Sequence, residues 1–132
     1  MNGKQAVGSA KAPPAIGPYS QAVRSGAWLF LSGQIPLDPA TGEPVAGGAA
    51  EQTRQVMDNL TQVLAAAGAG WDQVVKTTLY LTDPADFPVV NGIYQGYLTP
   101  PYPARATVGA AWLPRGVRVA IEGTAHVPEE VR

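Results

Sequence analysis

The chain has 132 residues, of which 45% are hydrophobic and only 14% charged, with a formal net charge of -1 and an isoelectric point near 5.7. That length fits one domain over residues 1–132 and leaves no room for a second core. The composition excludes a disordered polar chain, and the absence of any Lys/Arg block speaks against a nucleic-acid partner, whose phosphates must be neutralised several at a time. There is no Cys and one His, so disulfides, thiol catalysis and thiolate or imidazole metal clusters are all excluded as expectations.

A small domain with few charges covers much of its surface with apolar or small polar groups. Part of that surface is then subunit interface, unless runs such as Ala65–Gly68 reflect a compositional bias. The N-terminal segment lacks an apolar h-region, and no apolar run reaches the length of a membrane span, so a soluble, cytoplasmic protein is expected.

Residues 9–18, rich in Pro and small residues, read as an extended lead-in. Tyr19–Arg24 and Ala27–Gln34 flank Ser25-Gly26 and predict a β-hairpin. In its second strand Trp28, Phe30 and Ser32 share one face, Leu29 and Leu31 the other. Pro36–Gly48 is a loop. Val56, Leu60, Val63, Leu64 and Ala67 make the apolar stripe of a helix over Ala50–Ala67, stopped by Gly68. Val74–Thr82 alternates as a strand, with Val75, Thr77, Leu79 and Leu81 on one face.

Asp83-Pro84 reads as an N-cap and first helical residue. Phe87, Val90 and Tyr94 then make the inward stripe of a second helix, whose regular part starts nearer Asp86 because Pro88 lacks an amide proton. Arg105–Trp112 and Val117–Ala125 read as two strands joined by Leu113–Gly116. The order β-β-α-β-α-β-β fits an α+β fold, one mixed sheet with both helices on one face. The other sheet face is left apolar and uncovered, and an oligomer is its simplest cover.

Few residues can carry chemistry. His126 sits near the C-terminus with no nucleophile partner in pattern, and Gly42–Gly48 matches no phosphate-binding loop. Carboxylate and guanidinium chemistry remains. If the last two strands form a hairpin around Leu113–Gly116, Arg105 lies opposite about position 123 and within a residue of Glu122. That pair is either an exposed cross-strand ion pair of small energetic value or a carboxylate-recognising fork beside an acid.

The segments Ala15–Ala22 (AIGPYSQA), Leu31–Pro36 (LSGQIP), Asp38–Gly42 (DPATG), Gln55–Leu60 (QVMDNL), Val75–Thr78 (VKTT), Phe87–Asn91 (FPVVN) and Pro103–Val108 (PARATV) occur in this order, with Leu113-Pro114 following. Together they resemble the RidA/YjgF family, also named for endoribonuclease L-PSP, over nearly the whole chain. The resemblance implies a chorismate-mutase-like homotrimer with three clefts at subunit interfaces. It implies a cofactor-free hydrolytic deaminase that converts reactive 2-imino and enamine acids to 2-keto acids and ammonia. It further implies that Arg105 grips the substrate carboxylate, that Ser32, the Gly33 amide and Thr107 line the pocket, that Tyr19 closes it from a neighbouring subunit, and that Asn91 supports it.

Two positions depart from the family pattern. Thr107 replaces a frequent Cys. Ala120 stands where imine-hydrolysing members carry the first carboxylate of a Glu-Ile-Glu run, and Glu122 matches the second. Either Glu122 positions the attacking water, or the site works without that carboxylate. A third reading is a non-catalytic trimeric binder or sensor of small carboxylates. RNA cleavage, suggested by one family name, is disfavoured by the charge and the single His.

Overall fold

The computed structural model describes residues 3–128. Its elements are β1 (Gln5–Val7), β2 (Ala22–Ser25), β3 (Trp28–Gln34), α1 (Ala49–Ala66), β4 (Val74–Leu81), α2 (Phe87–Gln95), β5 (Ala104–Gly109) and β6 (Val119–His126). They form one six-stranded sheet in the order β1-β2-β3-β6-β4-β5.

Local chemistry explains most boundaries. The β2–β3 hairpin turns at Gly26, whose positive φ of 61° suits glycine. Glu51 accepts a hydrogen bond from the Gly48 amide at 2.9 Å and so caps the start of α1. At the other end the Gly68 amide donates to Ala65 and the Ala69 amide to Leu64, with Gly68 at φ 73°. This is the paired closure that ends helices on a left-handed residue. Asp83 caps a single 3-10 turn at Pro84–Asp86 by accepting from the Ala85 amide, and regular α2 begins at Phe87. Pro88 therefore sits in the first turn, where its missing amide proton leaves no helical bond unmade.

Both helices cover one sheet face. Val56, Met57, Leu60, Val63 and Leu64 of α1 and Val90 and Tyr94 of α2 are buried with Leu29, Leu31, Leu79, Leu81, Val119 and Ile121 of the sheet. The opposite face carries Trp28, Phe30 and Val108, all 40–48% exposed.

The last two strands do not form the expected hairpin. β5 pairs with β4 in parallel, through the α2 crossover, and β6 lies between β3 and β4, antiparallel to both. The reason lies in the side chains. Val119, Ala120 and Ile121 are successive buried residues, which suits an inner strand flanked by β3 and β4, whereas β5 is largely exposed and takes the edge. Two smaller corrections follow from the pairing. A register irregularity between Val74 and Lys76 breaks the alternation of β4, so Val74 is buried and Val75 is 43% exposed. A further strand, β1, pairs with β2.

Candidate active site

Arg105 leaves the edge strand β5 on the helix side of the sheet. Its register partner Thr77 is buried on that side. Phe87, Asn91 and Tyr94 recur at the i, i+4, i+7 spacing that puts residues on one helix face, and all three meet the guanidinium. Its Nη1 donates to Asn91 Oδ1 at 2.6 Å, and its carbon lies 5.5 Å from the Phe87 ring centre and 5.4 Å from that of Tyr94. Tyr94 is itself fixed, because its hydroxyl shares a buried 2.7 Å hydrogen bond with Thr77 Oγ1. An amide and two ring faces thus hold an exposed arginine in one orientation, with much of its donor fork left for an outside anion.

The guanidinium opens into a cleft of about 400 Å³ lined by Asn91, Tyr94, Gln95, Leu98, Tyr102, Pro103 and Arg105. Thr107, two residues along β5, leans to the same side but lines a neighbouring cleft of about 440 Å³ with Phe87, Pro84 and Thr82. Phe87 lies between the two groups.

Glu122 lies elsewhere. Arg105, Thr77 and Gly123 occupy one row across β5, β4 and β6, so Glu122 falls in the adjacent row and on the opposite sheet face. The expected adjacency of Arg105 and Glu122 is therefore not met within one chain: β4 separates their strands by about 10 Å, and their side chains diverge. On the open face Glu122 Oε2 accepts a 2.9 Å hydrogen bond from the Tyr80 hydroxyl. That carboxylate, then burial, hold the Tyr80 phenol above its ordinary pKa.

The remaining expected residues cluster around β3. Ser32 and Gly33 fall where the β3–β6 register is broken, between Leu31 and Gln34, and such bulges re-aim the backbone. The Ser32 hydroxyl donates to the Ser20 carbonyl, and its amide to that of Gln21. An added Cβ at Gly33 would meet nothing within 4 Å, so no contact inside the chain demands glycine there. Tyr19 is 53% exposed and accepts from the Ile16 amide. Arg105, Asn91 and Thr107 thus stand at one sheet edge, Ser32, Gly33 and Tyr19 three strands away.

Sequence reasoning missed Phe87, Tyr94 and Tyr80 as site residues. The first two were legible only as a core stripe, and Tyr80 only as an exposed strand position. Among the described residues no group of three His, Cys, Asp or Glu is placed to hold a metal ion, and no helix is long and apolar enough to cross a membrane.

An orientated edge arginine beside a cleft of small-metabolite size has the chemistry to receive a small anion. The chain belongs to the endoribonuclease L-PSP family, whose profile matches residues 9–127, and which is also known as RidA/YjgF. It is 52% identical to Protein DfrA of Myxococcus xanthus over 124 residues, 92% of this chain and 95% of that one. It is 47% identical to the human 2-iminobutanoate/2-iminopropanoate deaminase over 122 residues, 92% and 89% of the two chains. The crystal structure of RidA from a Psychrobacter species superposes with a TM-score of 0.89 at 42% identity, covering 93% of this chain and 99% of that one.

Proposed function

We propose that the protein is a hydrolytic deaminase of reactive 2-imino and enamine acids, 2-aminoacrylate/2-iminopropionate and 2-iminobutyrate, releasing 2-keto acids and ammonia. The observation that carries this reading is the fixed Arg105 fork, hydrogen-bonded by Asn91 and flanked by two aromatic rings beside an open cleft. The near half-identity to the human imino-acid deaminase supports it.

Arg105 takes the substrate carboxylate in a bidentate grip, which fixes the electrophilic imine carbon two atoms away. Water attacks the iminium carbon and its proton passes to Glu122. The resulting carbinolamine receives that proton on nitrogen. The C–N bond breaks as the hydroxyl proton returns to the carboxylate, leaving a ketone and free ammonia. No electron sink or redox partner is required, so the reaction proceeds without a cofactor.

Because Arg105 and Glu122 point away from opposite sides of one sheet, the site is completed between copies. A homotrimer buries the open faces around Trp28 and Phe30 and brings the β3 residues Ser32 and Gly33, with Tyr19, to the Arg105 cleft of a neighbour. Thr107, on the same strand as Arg105, lines the adjoining cleft beyond Phe87.

The test is a coupled assay in which a dehydratase generates 2-aminoacrylate or 2-iminobutyrate and the imine signal is followed. Added protein accelerates its decay, and Arg105→Ala abolishes the acceleration. A wild-type protein that does no better than buffer while still binding 2-keto or amino acids would instead identify a carboxylate sensor.

A further inference from the structure

Tyr80 and Ala120 are direct cross-strand partners on the open face of the sheet, and Glu122 lies diagonally from Tyr80, two residues along β6. Diagonal neighbours stand about 7–8 Å apart at their backbones, within reach of an aromatic side chain. The methyl group of Ala120 leaves the phenol free to lean along the strand, and its hydroxyl donates to Glu122 Oε2 at 2.9 Å. The other ionisable groups on this face are Lys76 of β4 and His126 at the end of β6. Neither forms an ion pair with Glu122 among the described residues. The carboxylate is thus held at one oxygen, and its second oxygen accepts no bond from the described residues.

We propose that Tyr80 is a positioning residue for the proton-transferring carboxylate: its hydroxyl anchors Glu122 Oε2 and leaves Oε1 aimed at the attacking water. This rests on the deaminase reading of Glu122. A flexible Glu side chain on a strand face otherwise samples several rotamers, and a proton acceptor is efficient only when held within hydrogen-bond reach of its proton. The small residue at 120 belongs to the same device, since a large side chain opposite Tyr80 would occupy the space through which the phenol leans.

The experiment uses the full-length protein in the imine-decay assay, comparing wild type, Tyr80→Phe, Glu122→Gln, the double variant and Arg105→Ala. Tyr80→Phe keeps the ring and removes only the hydroxyl, so circular dichroism and native mass stay those of the wild type. Its kcat falls about threefold to tenfold with KM unchanged, the size expected for one partly exposed hydrogen bond to a charged group. Glu122→Gln lowers kcat by at least as much, and Tyr80→Phe adds no further loss on the Glu122→Gln background, because a group acting through Glu122 has nothing left to act on. Wild-type kcat in Tyr80→Phe overturns the proposal, as does a change confined to KM or a full additive loss in the double variant. These failures leave the deaminase reading intact so long as wild type is active and Arg105→Ala is not. Inactive wild type sinks both.

Discussion

At Arg105 the side chain meets three partners from a single helix face, and their separate removal has separable consequences. Asn91 fixes one arm of the fork. With Asn91→Leu the guanidinium keeps its aromatic walls but loses its set direction, so KM for the imino acid rises about threefold to tenfold while kcat changes less. Steady-state kinetics check this. Thr77→Val acts one layer deeper. It leaves the Tyr94 hydroxyl without its partner in a buried position, which costs about 1–3 kcal/mol, measurable by urea unfolding. Arg105 and Glu122 stand out in the sequence by residue type and spacing. Their relation does not, because opposition on paper assumes that strands close in sequence are neighbours. The assumed hairpin register found the right row, since Arg105 and Gly123 do share one, but gave no sign of the strand between them.

Helix α1 shows what a single capping contact does for an element. The Gly48 amide, followed by the amide of Glu51 itself, draws the Glu51 carboxyl below its ordinary pKa. A depressed folded-state value contributes stability that is present above the unfolded pKa and is lost as pH falls through the folded one. The gap in thermal midpoint between wild type and Glu51→Ala is therefore open near neutrality and closes on the acid side of the carboxylate range, as differential scanning at stepped pH will show. Gly47, at φ 112°, is bound to the same feature: a Cβ there would sit 2.7 Å from the Glu51 side chain, so Gly47→Ala loses the cap together with backbone comfort. Both helices and the first hairpin were readable because periodicity, glycine stops and proline starts agreed. Gln5–Val7 was not, being too short to show alternation, and its pairing with β2 is a tertiary event. Val75 escaped because the irregularity between Val74 and Lys76 breaks the alternation at the start of the strand.

Taken whole, the chain has one covered sheet face and one that shows Trp28, Phe30 and Val108 to its surroundings. Isolated exposed apolar residues are ordinary, but Trp28 and Phe30 stand two residues apart on one face of β3, and an open sheet face with such a pair is a surface for association. Wild-type protein is expected to run in light scattering at three times the 13.7 kDa chain mass, and Phe30→Glu, which sets a charge in the centre of that face, to lower the mass to one chain and to remove imine hydrolysis with it. A folded, fully active monomer would refute the shared-site arrangement.

In the proposed trimer, the divergence of Arg105 and Glu122 across the sheet also makes the defect of one copy curable by another. Arg105→Ala and Glu122→Gln preparations, each impaired alone, are genetically complementary when unfolded together and refolded as a mixture. Each hybrid interface that draws arginine from one parent and carboxylate from the other is intact, and random assortment in a ring yields about a quarter of such interfaces. Activity recovered toward that fraction would count the sites as joint property of two chains, while a mixture no better than its parents would return both residues to the same polypeptide.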